Sequence, residues 1–209
     1  MRHVGDRAAL LELPDNASVH AAARRARSLL GDQLADIVPG DRTLLLVWPD
    51  ASVISDISEL ALECACSEIS DDDAHHPEAI VISIRYDGAD LEAIATTLGL
   101  STEAVVKLHG ETEYVVAFMG FSPGFPYLIA AGRGGDVGRL LAMPRLASPR
   151  TEVPAGSVAV AAGYCGVYPR SSPGGWNLLG HTEAVLFDAQ RDPPALLSPG
   201  ARVRFEALR

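Results

Sequence analysis

Gly120-Phe121-Ser122-Pro123-Gly124-Phe125-Pro126-Tyr127-Leu128 is followed by Pro149-Arg150-Thr151-Glu152-Val153-Pro154-Ala155-Gly156-Ser157-Val158 and then by Tyr168-Pro169-Arg170-Ser171-Ser172-Pro173-Gly174-Gly175-Trp176-Asn177-Leu178-Leu179-Gly180. Proline fixes φ and removes a donor, whereas glycine tolerates φ > 0, so such clusters specify defined turns rather than loose coil. Aromatic side chains carried on rigid turns lose little entropy when a partner covers them, which makes this region a candidate binding surface. Around it, Tyr114 to Met119, Ser157 to Ala162, Ala184 to Asp188 and Ala201 to Glu206 are short apolar or alternating runs. Short strands with this punctuation predict a β-barrel or sandwich.

Working outward toward the N-terminus, Asp90 to Leu98 and a second segment capped by Ser101 read as two short helices separated by Gly99. The second carries only Lys107 against Glu103, Glu111 and Glu113, which excludes a DNA-reading helix-turn-helix. The first 86 residues read as β-α-β-β-α-β. Arg7 to Leu13 is a strand, Asn16 or Ser18 caps a helix through Leu34, and Asp36 to Val38 and Thr43 to Trp48 flank a Pro39-Gly40-Asp41 turn. Ser52 or Ser55 caps a second helix through Cys64, and Glu78 to Tyr86 gives the last strand. That order predicts a split βαβ, ferredoxin-like domain over 1–86 and a β-rich domain over 87–209, an α+β chain overall.

The chain has 209 residues, 48% hydrophobic and 21% charged, a globular composition that suits one large domain or two modest ones. Its formal charge of −10, with no basic stripe, argues against nucleic acid. No apolar run approaches the roughly 20 residues of a membrane span, and no secretory h-region opens the sequence. Three cysteines, Cys64 and Cys66 among them, fit reduced thiols, so a cytoplasmic protein is expected. His75-His76 beside three aspartates lacks the spaced ligands of a metal site, and no metal is expected. No Gly-Lys-Ser/Thr phosphate loop is present, and Gly132 to Asp136 reads as a surface loop.

The chemistry-bearing candidates are few. His109 is either a helix-capping histidine or a proton-transfer or substrate-binding group at the barrel mouth. Arg145 and Arg150 flank Leu146-Ala147-Ser148-Pro149; each is either a surface ion pair or a fixed fork for a carboxylate or phosphate. Tyr127, Tyr168 and Trp176 are either core filling or, with Phe121 and Phe125, the walls of a recognition groove.

The three blocks quoted above, with Leu108-His109 and Glu113-Tyr114, resemble the KipI family, whose members are labelled as the B subunit of 5-oxoprolinase, as allophanate hydrolase subunit 1 or as kinase-inhibitor protein. The resemblance spans the whole chain. It implies a small N-terminal α/β domain followed by a cyclophilin-like β-barrel. It also implies a heteromeric partner, the KipA-type subunit (the C subunit of 5-oxoprolinase, or allophanate hydrolase subunit 2). The implied activity is ATP-dependent opening of 5-oxoproline to glutamate, with ATP and Mg²⁺ held at the interface with that partner and the chain inactive alone. A regulatory module that inhibits a histidine kinase and a carboxyltransferase-like subunit acting on a urea derivative are the contrasting readings. On this resemblance His109 and Arg150 are the catalytic candidates. Arg145, Tyr127, Tyr168 and Trp176 are the substrate contacts, and Phe121, Pro123, Phe125 and Pro126 the partner contacts.

Overall fold

The structure, a computed structural model, describes residues 2–50, 78–132 and 135–208. The expected helix through Cys64, together with Cys66, His75 and His76, lies outside the described residues. The chain divides into two compact units, Met1–His75 and His76–Arg209.

In the first unit, strands β1 (Arg2–Val4) and β2 (Ala8–Glu12) precede helix α1 (Asn16–Leu30) and the hairpin β3 (Asp36–Pro39) and β4 (Thr43–Val47). The sheet order is β1-β2-β4-β3, antiparallel throughout. Helix α1 buries Val19, Ala22, Ala23, Ala26 and Leu30 against Ala9, Leu11, Leu44, Leu46 and Trp48, an apolar stripe at helical spacing meeting the inward face of a period-two sheet. Its cap is Asp15 rather than Asn16 or Ser18: the Asp15 carboxylate accepts from the Ser18 N–H at 2.9 Å. The Asn16 amide is drawn away to the Gly40 and Asp41 carbonyls.

The strand expected to finish this sheet does not belong to it. Ile80–Ile84 (β5) lies in the second unit, paired in parallel with the last strand, and the place beside β2 is taken by Arg2–Val4. The division therefore falls between His75 and His76, not after residue 86.

The second unit continues with α2 (Leu91–Leu98), α3 (Thr102–Glu111), β6 (Glu113–Met119), β7 (Pro126–Ala130), α4 (Gly135–Leu141), β8 (Arg150–Val153), β9 (Ser157–Ala161), β10 (Tyr164–Val167), β11 (Ser172–Gly174), β12 (Asn177–His181) and β13 (Arg202–Ala207). Seven strands form one sheet in the order β12-β9-β10-β7-β6-β13-β5. Its two ends meet: the Arg85 and His181 backbones exchange N–H···O bonds of 2.8 and 2.9 Å, so the sheet is a nearly closed barrel. Closure removes the open edges that a sheet otherwise presents. Strands β8 and β11 form a separate antiparallel pair.

Helices α2 and α3 are the expected ones, with Gly99 at φ +71° ending the first and the Ser101 hydroxyl capping the second. Ala184 to Asp188 is no strand, contributing only a Phe187–Ala195 bridge. Gly135 and Asp136, expected within a surface loop, instead open helix α4, whose Leu140 and Leu141 bury into the core.

Candidate functional site

Strand β9 (Ser-Val-Ala-Val-Ala) is buried on both faces. Its valines, Val158 and Val160, point into the main core with Cys165, Val167 and Leu179. Its alanines, Ala159 and Ala161, point the other way, into a second cluster of Phe125, Val153, Tyr168, Trp176 and Leu178. Period-two alternation thus gives the strand a branched face for the core and a small face for aromatic rings. Gly166 of the neighbouring β10 extends the small floor: a Cβ there would stand 3.0 Å from the rings of both Phe125 and Trp176.

The rings over this floor meet mostly edge to face. Phe125 lies 5.2 Å from Tyr168 and 5.6 Å from Trp176, near perpendicular to each, while Tyr127 stacks on Phe118 at 4.4 Å. They enclose a cleft of about 250 Å³, walled by Phe121, Phe125, Tyr127, Tyr168 and Trp176, rimmed by Pro149 and Pro173 to Gly175, and reached by Arg145. The sequence candidates Arg145, Tyr127, Tyr168 and Trp176 therefore meet in one place.

Arg145 is the charged group of the cleft lining, and no acidic residue accompanies it there. Among the described residues its guanidinium has no carboxylate or hydrogen-bond partner. Its backbone is pinned on both sides: Asn177 Nδ2 donates to the Pro144 carbonyl at 2.8 Å, and the Leu146 N–H donates to the Gly175 carbonyl at 2.7 Å. Burial pushes the Tyr127 and Tyr168 phenols above their ordinary range, and the positive field of Arg145 opposes the rise at both. Both stay neutral near pH 7 and keep an O–H to donate. The cleft is thus aromatic, uncompensated in charge, and suited to a small anion with a flat apolar body.

Phe121 stands at the rim, 62% exposed. Its φ of +63° and the Ser122 N–H to Gly120 carbonyl bond of 2.6 Å form a γ-turn of the positive-φ kind, a strained conformation for a bulky residue. Pro123 is also exposed. Phe125 and Pro126, expected to face a partner, are instead buried, Phe125 under the cleft and Pro126 at the start of β7 opposite Met119.

The two catalytic candidates are placed differently from expectation. His109 is not at a barrel mouth: it is 0% exposed, with Nδ1 2.7 Å from the Tyr86 hydroxyl and Nε2 3.4 Å from Cys165 Sγ, packed on Tyr114 and Phe205. Val105 and His109 lie four positions apart and so share the buried face of α3. Arg150 does not offer a free fork. Its Nη2 donates to Asp90 Oδ1 at 2.7 Å and its Nη1 to the Trp176 carbonyl at 3.4 Å. Asp90 and Asn177 are site residues that the sequence does not announce; Asn177 sits inside a quoted block, but Asp90 carries no local motif at all.

Residues 1–197 match the family described as carboxyltransferase domain, subdomain C and D. The chain belongs to this family. Within it, the chain is 40% identical to the B subunit of 5-oxoprolinase from Escherichia coli O157:H7, over 97% of this chain and 93% of that protein. It is 41% identical to the B subunit of 5-oxoprolinase from Bacillus subtilis (strain 168), over 75% of this chain and 62% of that protein. Among solved structures, the crystal structure of TTHA0988 in space group P212121 superposes with a TM-score of 0.78 at 35% identity. The match covers 97% of this chain and 40% of the TTHA0988 chain, so the family fold is there part of a longer polypeptide.

Proposed function

We propose that this chain is the B subunit of an ATP-dependent 5-oxoprolinase complex, opening 5-oxoproline to glutamate together with a KipA-type subunit. The observation that carries the reading is Arg145, a cation without a partner among the described residues, at an aromatic cleft whose lining holds no acidic side chain. 5-Oxoproline is a compact lactam with one carboxylate and one amide carbonyl. The Arg145 fork takes the carboxylate, the ring lies against Tyr127 and Trp176, and the neutral phenols of Tyr127 and Tyr168 donate to the lactam carbonyl. Such donors favour the negative charge that grows on that oxygen as the amide opens. The identity of 40% to a 5-oxoprolinase B subunit over nearly the whole chain supports the same assignment.

The described residues do not fit a nucleotide–Mg²⁺ site on their own. The cleft supplies a cation but no carboxylate, and no group of three His, Cys, Asp or Glu is gathered among the described residues. We therefore assign ATP and Mg²⁺ to the interface with the partner, which makes the chain inactive alone. The exposed Phe121 and Pro123 are the partner contacts. The barrel is read as cyclophilin-like and the protein as cytoplasmic; among the described residues no helix is long and apolar enough to cross a membrane.

The test is 5-oxoproline-dependent ATP hydrolysis by the chain co-purified with its partner subunits, compared with Arg145→Gln. Loss of the carboxylate anchor should lower kcat/KM by about tenfold or more, equivalent to about 1.4 kcal/mol of binding. Arg145→Lys should recover only part, because an ammonium lacks the planar fork. A wild-type complex with no 5-oxoproline-dependent turnover would overturn the reading.

A further inference from the structure

Asp90 occupies the N-cap of α2, a position where an aspartate ordinarily accepts from the backbone N–H groups of the first helical turn. Here it makes no such bond. Its carboxylate is turned away from its own helix: Oδ1 accepts from Arg150 Nη2 and Oδ2 from the Leu178 N–H, both at 2.7 Å. The Asp90 N–H in turn donates to the Leu178 carbonyl at 3.3 Å. Arg150 passes the contact on, its Nη1 reaching the Trp176 carbonyl at 3.4 Å. The pair is shielded, with side-chain exposures of 13% for Asp90 and 28% for Arg150, so water competes for it less than for a surface ion pair.

The peptide groups held in this way, the carbonyl of Trp176 and the N–H of Leu178, bracket Asn177 at the point where the cleft wall enters strand β12. A residue that forgoes its local role to serve distant backbone breaks a rule of helix ends, and such breaks concentrate where a site must be held in place. Helix capping alone does not explain the choice, because a Ser or Asn here would cap α2 as well. A surface ion pair does not explain it either, since the second carboxylate oxygen is spent on a main-chain N–H of the strand that follows Trp176.

We propose that Asp90 is a positioning residue of the cleft: through Arg150 and Leu178 it sets the orientation of the Trp176 wall and thereby the fit of a flat, carboxylate-bearing ligand. The ligand class rests on the function proposed above; the positioning role does not. Arg150 accordingly serves the cleft from behind without touching its occupant.

The decisive variant is Asp90→Ser in the complex with the partner subunits. Serine keeps a good cap for α2 while removing both bonds to the wall. The chain has two tryptophans, and the other, Trp48, packs in the core of the first unit, so a change in acrylamide quenching between wild type and variant, read on the full-length chain without its partners, reports on Trp176. In the folded variant, quenching should rise, and KM for 5-oxoproline should increase about fivefold or more while kcat stays within about twofold. Arg150→Lys, which retains the charge but cannot span Asp90 and the Trp176 carbonyl together, should shift both readouts in the same direction. It decides the matter if Asp90→Ser fails to fold. Wild-type quenching in either folded variant overturns the positioning role, as does an unchanged KM. If the wild-type complex does not turn over 5-oxoproline, the proposed substrate is wrong, and the quenching comparison still decides whether Asp90 holds the wall.

Discussion

His109 meets no water on any side, and burial draws its imidazole down from the ordinary 6.5 to about 3. Tyr86 and Cys165 stand at its two nitrogens, so either neutral tautomer finds a partner at both, but a second proton has nowhere to be solvated. Above pH 6.5 the folded and unfolded chains both hold this group neutral, and it gives stability no pH dependence. As pH falls from 6.5 toward 3 the unfolded chain takes up a proton that the folded chain refuses, so stability is lost across that window. Denaturant melts at pH 7 and pH 5 should show a smaller loss in His109→Gln than in the wild type; equal losses would mean that the imidazole accepts its proton while folded. Residues of this kind show where one-dimensional reading stops. Arg145 and Arg150 look alike in sequence, each beside a proline turn, and the same two roles are open to both. What separates them is Asp90, sixty positions away from Arg150 and within 2.7 Å of it, and no local pattern announces a partner at that range.

At the scale of elements, helices α2 and α3 are legible because apolar spacing, a glycine stop and a hydroxyl cap coincide at Leu98 to Ser101. Several strands are not. Ser172–Gly174 reads as a turn, yet it is β11, tolerated because a proline costs nothing where one side of a two-stranded pair needs no donor. Ile80–Ile84 is legible as a strand, but its sheet is not, since alternation reports a face and not a neighbour. The aromatic cleft is legible as a set of residues, though not as a surface: rigid turns announce that Phe125 is placed, without saying whether it is placed outward or beneath. Strand β12 also carries the polar bolt that ties it to the loop holding Arg145. Asn177 is 6% exposed and spends its amide on the Pro144 and Val160 carbonyls. Asn177→Leu leaves both acceptors without that donor and should cost about 1–3 kcal/mol. A thermal melt reads this as a lower Tm, and 5-oxoproline turnover should weaken with it as the Arg145 loop loosens. An unchanged Tm would show that water replaces the amide at no cost.

For the molecule as a whole, the position of β5 decides where the second unit begins. A fragment starting at residue 76 retains β5 beside β13, whereas one starting at residue 87 strips it away and leaves β13 as a raw edge. The longer fragment should run as a folded species in size exclusion and melt cooperatively; the shorter should aggregate or lack a cooperative transition. Identical behaviour of the two would make β5 dispensable. The same joint has a bearing on how the protein is made. Ile80 pairs with Val203, so the first strand of the barrel emerges from the ribosome long before its neighbour exists. At roughly 10 residues per second that interval is on the order of 10 s. During it Ile82 and Ile84, both buried in the finished core, have no strand to lie beside. The newborn chain thus carries an apolar strand without its sheet partner until its last strand arrives.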